Sequence, residues 1–340
     1  MAFGFIRNGA ELRVLPALLA CLVLVPSTAA AADPAEVLRS LHLQDQAIER
    51  IGFRLAAANA DLCPGTADAG FSVHTLEQYG PAYRAAASSL FALGKSPGVL
   101  AVAPGSPADA AGLREGDALV AIDGQRVPDP PNIPTRSDFR RTAAVQSQIV
   151  VAEKAPSMTL AVLRGGERID FGLRPAPACR SLFQVVPDAE LKGEADGDYV
   201  QVSTEMAGLA SSDDELAALL AHELAHNVLG HRARLDALRV DRGLLAFLGR
   251  NARLIRGTER EADRLSIYLL ARAGYDPEKA LGFWTRVRAA AGRSAGDPTH
   301  PPWAERLALV RTEADRIEGA GVPAREVPLP LDLSAALHRR

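Results

Sequence analysis

The segment 219–232, LLAHELAHNVLGHR, holds three of the chain's seven histidines. Two of them, His222 and His226, bracket Glu223. On a helix, residues four apart are separated by about 40° around the axis, so these two imidazoles leave one face a turn apart and can grip a single metal ion. Glu223 is offset by about 100° and stands beside that ion. A carboxylate next to a Lewis-acidic cation suits the removal of a proton from water, the chemistry of metal-assisted hydrolysis. The neighbours Leu219, Leu220, Ala221, Leu224 and Ala225 are apolar. Surroundings of low polarity strengthen the field of a cation.

A catalytic metal of this kind needs a third protein ligand and an open position. His231 follows His226 by five residues, about 140° round a continuous helix, and reads instead as a helix-end histidine facing the dipole. Glu259 and Asp263 fit better. They share a face of a second helix, GTEREADRLSIYLLARAGYDPEKA, expected to be capped at Thr258 and to end near Gly274. Glu259 can complete the metal site. Asp263 can hydrogen-bond a ligand imidazole and fix its tautomer. The histidine helix itself opens on a capping box, Ser212 to Glu215, and stops at Gly230. Between the two helices, residues 233–257 are amphipathic and arginine-rich. They read as ordinary helical packing, with a lid or a membrane-surface contact left open.

HELAH has the HExxH form of the zinc peptidases. HELAH, EREAD and AGYDP together resemble the gluzincin metallopeptidases of the CAAX-prenyl-protease, HtpX and mitochondrial OMA type, over roughly Tyr199 to Leu309. The metzincin pattern is absent, since Leu229 and Arg232 stand where it needs Gly and His. The resemblance implies one zinc per chain held by His222, His226 and Glu259, with Glu223 as general base and Asp263 as the supporting aspartate. THPPWAERL is similar to an element of the soluble periplasmic members. It implies that His300 approaches the zinc, or that His300 or Arg306 stabilises the oxyanion. In such enzymes an edge strand ahead of the zinc helix aligns an extended substrate, and Asp198 to Met206 is the segment expected to supply it. The implied function is zinc-dependent endoproteolysis of exported or envelope polypeptides in quality control. The competing expectation is a latent peptide-binding adaptor or chaperone, its metal blocked by His300.

Upstream, Val99 to Val102 and ALVAIDG read as strands around a short alanine-rich helix. Met158 to Leu173 reads as two strands about Gly165-Gly166, and a helix capped by Ser137 lies between. SPADAAGLREGDALVAIDGQRV resembles a PDZ domain of the bacterial periplasmic-protease type, over Gly98 to Leu173. That resemblance implies capture of an extended peptide as an added strand, with its C-terminal carboxylate on backbone amides. Ile51 to Leu55 or Gly70 to Leu76 would supply the accepting strand.

The first residues carry Arg7 and Arg13, then an apolar run from Val14 to Val25, Pro26 and small residues to Ala32. This is the layout of a cleavable export signal over residues 1–32, favoured over lipoprotein attachment at Cys21 because the apolar run continues past it. The expected location is therefore periplasmic. Cys63 and Cys179 then remain and are expected to pair in an oxidising compartment. The net charge is −3, and removing Arg7, Arg13 and Glu11 makes it −4. That balance argues against nucleic acid as a partner. The expected organisation is a helix over 33–50, a PDZ-like domain over 51–180, a zinc metallopeptidase domain over 181–320 and a tail over 321–340. The expected fold class is α+β: a PDZ-like sandwich or barrel, then a mostly helical zincin-type domain with a small edge strand or sheet.

Overall fold

The computed structural model describes residues 32–338 except 133, 244 and 293–297. All but the last residue of the expected export signal, Cys21 included, lies outside the described residues. No helix among the described residues is long and apolar enough to cross a membrane.

Helix α1 (Pro34–Ala58) is capped by Asp33, whose side chain accepts the Ala35 N–H at 3.0 Å. Pro34 sits in the first turn, where its missing N–H costs nothing. The helix does not stop at Arg50. Ile48, Ile51 and Leu55 form one fully buried stripe, so Ile51 to Leu55 is helix and not a peptide-accepting strand. The β-branched and aromatic residues there mimic a strand, but their burial follows the helical period.

The next elements are β1 (Ala67–Asp68), β2 (Phe71–His74), α2 (Pro81–Leu90), β3 (Gly98–Val102), α3 (Pro107–Ala111), β4 (Ala118–Ile122), β5 (Gln125–Arg126), α4 (Arg140–Ala152), β6 (Met158–Arg164) and β7 (Glu167–Leu173). They build an antiparallel sheet in the order β2-β3-β4-β6-β7, with β5 paired to β4. Its apolar face, with Val99, Leu119, Leu160 and Val162, packs with Val145 and Ile149 of α4 into one core. Gly165 and Gly166 both have positive φ, which lets a two-residue turn join β6 to β7. Helix α4 begins at Arg140, not beside Ser137, and the Asp138 side chain accepts the Arg140 N–H.

The C-terminal half contains β8 (Ala176–Pro177), β9 (Leu182–Val186), β10 (Gly193–Ala195), β11 (Tyr199–Ser203), α5 (Thr204–Gly208), α6 (Asp213–Val228), α7 (His231–Ala237), α8 (Gly249–Arg272), α9 (Glu278–Ala291), α10 (Trp303–Glu318) and α11 (Leu331–Leu337). Its sheet runs β10-β11-β9, with β9 parallel and β10 antiparallel to β11. The strand expected at the edge is therefore central. It ends at Ser203, whose hydroxyl accepts the Met206 N–H to start α5. The edges belong to β10, which packs on α6, and to β9, which packs on α1.

Ser212 caps α6 through the Glu215 N–H, while Glu215 reaches back to the Ser211 N–H. Leu219, Leu220 and Leu224 are fully buried at the centre of the main core. Helix α8 starts nine residues before the expected cap at Thr258, whose hydroxyl instead bonds the Ile255 carbonyl within the helix. The expected tail joins the core as well: Leu333 and Ala336 of α11 are fully buried in it.

Cys63 and Cys179 form a disulfide that closes the chain across the antiparallel sheet β2-β3-β4-β6-β7. Beside it lies a buried carboxyl cluster: Glu49 from α1, Asp68 ahead of β2 and Glu153 after α4, with Arg180 nearby. Burial, and then the charge of Asp68, holds Glu153 up at about 8. Burial likewise raises Asp68 and lifts Glu49 well above the usual carboxyl range. In the unfolded chain these groups ionise near 4. Between about pH 4 and 8 the folded state thus binds more protons, and stability falls as pH rises through that window. The urea midpoint of the chain from residue 33 onward is expected to drop as pH rises from 5 to 8. Glu153→Gln should flatten that slope, and an equal slope in the variant would contradict the assignment.

Candidate metal centre

Helices α6 and α8 pack against each other and bring three side chains to one point. His222 Nε2 and His226 Nε2 are 3.3 Å apart. Glu259 Oε2 lies 3.4 Å from His222 Nε2, and Glu259 Oε1 lies 3.5 Å from His226 Nε2. Bonds of about 2.0–2.1 Å to a tetrahedral zinc place neighbouring ligand atoms about 3.3–3.4 Å apart, so the triad has the right spacing. Glu259 Oε2 is also buried without a well-formed hydrogen bond. A buried carboxylate oxygen left in this way is costly unless a cation takes it up. The donor set, two imidazoles and a carboxylate, suits zinc.

Each imidazole has a partner for its outer nitrogen. His222 Nδ1 lies 3.1 Å from Asp263 Oδ1, somewhat off the ideal hydrogen-bond line. Asp263 is fully buried and takes two bonds from Arg306, Nε at 2.9 Å and Nη2 at 2.6 Å. The Arg306 guanidinium stacks on Trp284 at 4.4 Å and on Trp303 at 5.3 Å, and Trp284 packs edge-on to His222. Two of the Arg306 nitrogens, Nε and Nη2, are thus committed to Asp263.

His226 Nδ1 lies 2.9 Å from His231 Nδ1, and His231 Nε2 lies 3.1 Å from Glu261 Oε2. Arg234 Nη2 donates to the same carboxylate oxygen at 2.6 Å. If His226 carries its proton on Nδ1, it donates to His231, which in turn donates from Nε2 to Glu261. Its own Nε2 lone pair then faces the triad. A continuous helix would carry His231 about 140° round the axis from His226. Gly230 has a left-handed φ of 60°, ends α6 and starts α7, so the ring turns back. Gly230 was visible in the sequence, but the pairing of His231 with Glu261 across two helices was not.

Glu223 is buried beside the triad, and burial first, then the charge of Glu259, raises it to about 7 despite His222. Burial would lower His222, but Asp263 and Glu259 outweigh it and lift it to about 10. Burial lowers His226, while His226 and His222 hold Glu259 well below the usual range against burial. The carboxylate of Glu259 is therefore ionised and available to a cation. Strand β10 closes on this group: a Cβ at Gly193 would collide with Glu223 Oε1. A cleft of about 540 Å³ runs between β10, the triad and Phe247. At its mouth His300 Nε2 comes within 3.5 Å of Glu259 Oε2.

Two outcomes follow from this geometry. Glu261→Gln weakens the orientation of His226 through His231, and zinc affinity measured by chelator competition should fall about 10–100-fold. Unchanged affinity would make His231 and Glu261 packing residues only. Gly193→Ala should displace the Glu223 carboxylate and lower kcat by about tenfold or more with zinc content intact, because small misplacements near reacting groups are costly. Wild-type kcat in that variant would contradict the close approach.

Residues 98–133 match the family model described as PDZ domain. Residues 180–252 and 238–314 match that of Peptidase family M48. The "Mitochondrial metalloendopeptidase OMA1" of Schizosaccharomyces pombe is 33% identical over 121 residues, covering 29% of this chain and 36% of the relative. The "Putative beta-barrel assembly-enhancing protease" of Vibrio cholerae is 31% identical over 169 residues, covering 42% of this chain and 34% of the relative. The matches thus span about a third of the length of each curated relative. A solved structure, "HtrA-type protease AlgW with decapeptide", aligns at 23% identity over 33% of this chain and 29% of its own, with a TM-score of 0.23. Residues 98–133 are thus similar to a PDZ domain and residues 180–314 to the metallopeptidases of family M48.

Proposed function

We propose that the chain is a zinc-dependent endopeptidase that hydrolyses exported or envelope polypeptides in protein quality control. The observation that carries this reading is the convergence of His222, His226 and Glu259 within ligand spacing, with Glu223 buried beside them. The names of the two relatives, a mitochondrial metalloendopeptidase and a β-barrel assembly-enhancing protease, are in keeping with it. So is the export signal expected over residues 1–32, which would put the chain in the periplasm.

A zinc ion held by the triad would supply a Lewis acid for the scissile carbonyl and lower the pKa of water toward about 7. Glu223 takes the proton of the attacking water and returns it to the leaving amine, a task suited to a carboxyl poised near neutrality. The open edge of β10 pairs with the backbone of an extended substrate and leaves side-chain choice to the cleft. In this reading His300, which comes within 3.5 Å of Glu259 Oε2 at the cleft, donates to the developing oxyanion. The PDZ domain captures or regulates the polypeptide. The loop ahead of α8 exposes Leu245, Phe247 and Leu248 beside the cleft, in keeping with a lid or a membrane-surface contact. Glu223→Gln should abolish cleavage of an unfolded protein such as casein while keeping one zinc per chain. Full activity in that variant would overturn the mechanism.

A latent enzyme acting as a peptide-binding adaptor is the second reading, and the approach of His300 to Glu259 favours it. Removal of His300 separates the two. His300→Ala lowers kcat by about 10²-fold if the ring assists an oxyanion, and raises activity if the ring blocks the fourth position.

A further inference from the structure

The PDZ sheet has two edges, β2 and β7. Strand β7 exposes Glu167, Arg168 and Asp170, the charges that blunt an edge against pairing. Strand β2 is the edge suited to an added peptide. Phe71 and Val73 are apolar, α4 lies alongside, and Val145 and Ile149 of α4 share their core. A peptide pairing antiparallel with β2 would end beside the loop that precedes it, where backbone amides can receive its terminal carboxylate.

Both parts of that site are already taken. Glu49 of α1 and the run Arg180 to Phe183 line one small gap together with Phe71 and Val73 of β2 and Gln146 and Ile149 of α4. The space left between them is about 20 Å³, room for about one water and far below the roughly 300 Å³ of a small ligand site. The Ala69 N–H, in the loop before β2, donates to Glu153 Oε1 at 2.9 Å, so a carboxyl group of this chain sits where a peptide terminus would. The run is anchored at each end. Cys179 is bonded to Cys63, and its N–H donates to the Ala56 carbonyl. Phe183 lies directly on Gly52, where a Cβ would collide with its ring. Tyr199 of β11 ties the two domains by donating its hydroxyl to Gln146 Oε1 at 3.0 Å.

We propose that the peptide-accepting edge of the PDZ domain is covered by this chain's own Arg180–Phe183 segment, so that an external polypeptide end binds there only when that segment moves aside. The external partner is a polypeptide C-terminus with apolar last residues and a free carboxylate, matched to Phe71, Val73 and the Ala69 amide. The PDZ domain is then gated by the first strand of the peptidase sheet, which couples capture to that domain. The proposal rests on the PDZ domain and not on the metal chemistry, so its test needs no proteolysis.

The test compares the chain from residue 33 onward, carrying Glu223→Gln, with the same chain also carrying Arg180→Ala and Leu182→Ala. Leu182 lies outside the buried core cluster, which favours retention of the fold. Amide exchange of residues 71–74 is read against 167–173, the other edge of the same sheet. Binding is read by anisotropy with a labelled pool of short peptides ending in Val, Leu or Phe, as free acids and as amides. The expected result is faster exchange at 71–74 alone and at least about tenfold tighter binding of the free-acid pool by the variant. Tyr199→Phe provides a milder second opening and should move both readouts the same way. Equal binding by parent and variant overturns the proposal. So does unchanged exchange at 71–74, or an opened edge that binds no peptide.

Discussion

Two imidazoles, one buried and one half-buried, cannot share a small volume with a buried carboxylate without electrostatic compensation. His222, His226 and Glu259 do so, and the rest of the peptidase domain is arranged around that constraint. Desolvation works against each group in its charged form. A divalent cation bound by the triad would offset that cost. The leucines of α6 and the buried face of α8 supply the rigid frame that keeps the three donor atoms at ligand spacing.

The support differs on the two sides of the triad. His222 is held through Asp263, which Arg306 fixes with two hydrogen bonds from between two tryptophans. His226 is held through His231 and Glu261, with Arg234 anchoring the carboxylate. Both chains end in a carboxylate gripped by an arginine, so both imidazoles turn the same nitrogen inward. The edge strand β10 approaches the base only because residue 193 has no side chain. Position, tautomer and access are thus set by separate parts of the fold.

The core of the site was legible because its spacings are local. His222 with His226, and Glu259 with Asp263, are each four apart on a helix, and helical geometry fixes their common face. What the sequence hid depends on contacts between distant segments. The role of His231 needed the turn at Gly230 and the approach of α7 to α8. The edge of the peptidase sheet fell to a three-residue strand, Gly193–Ala195, too short to show alternation, while the better-patterned segment from Tyr199 went to the centre. The PDZ elements read well from their glycine turns, but α1 ran past its expected end because β-branched residues also serve a helix buried on one stripe. The two bonds from Arg306 to Asp263 likewise join segments more than forty residues apart and left no local signal.

Metal content of the folded chain tests the central claim most directly. Mass spectrometry of purified protein from residue 33 onward should find about one zinc per chain, as for a single three-ligand site. The count should fall close to zero in Glu259→Gln with the circular dichroism spectrum retained. A wild-type chain that takes up no zinc, or a Glu259→Gln variant that holds it as tightly as the parent, would contradict the account.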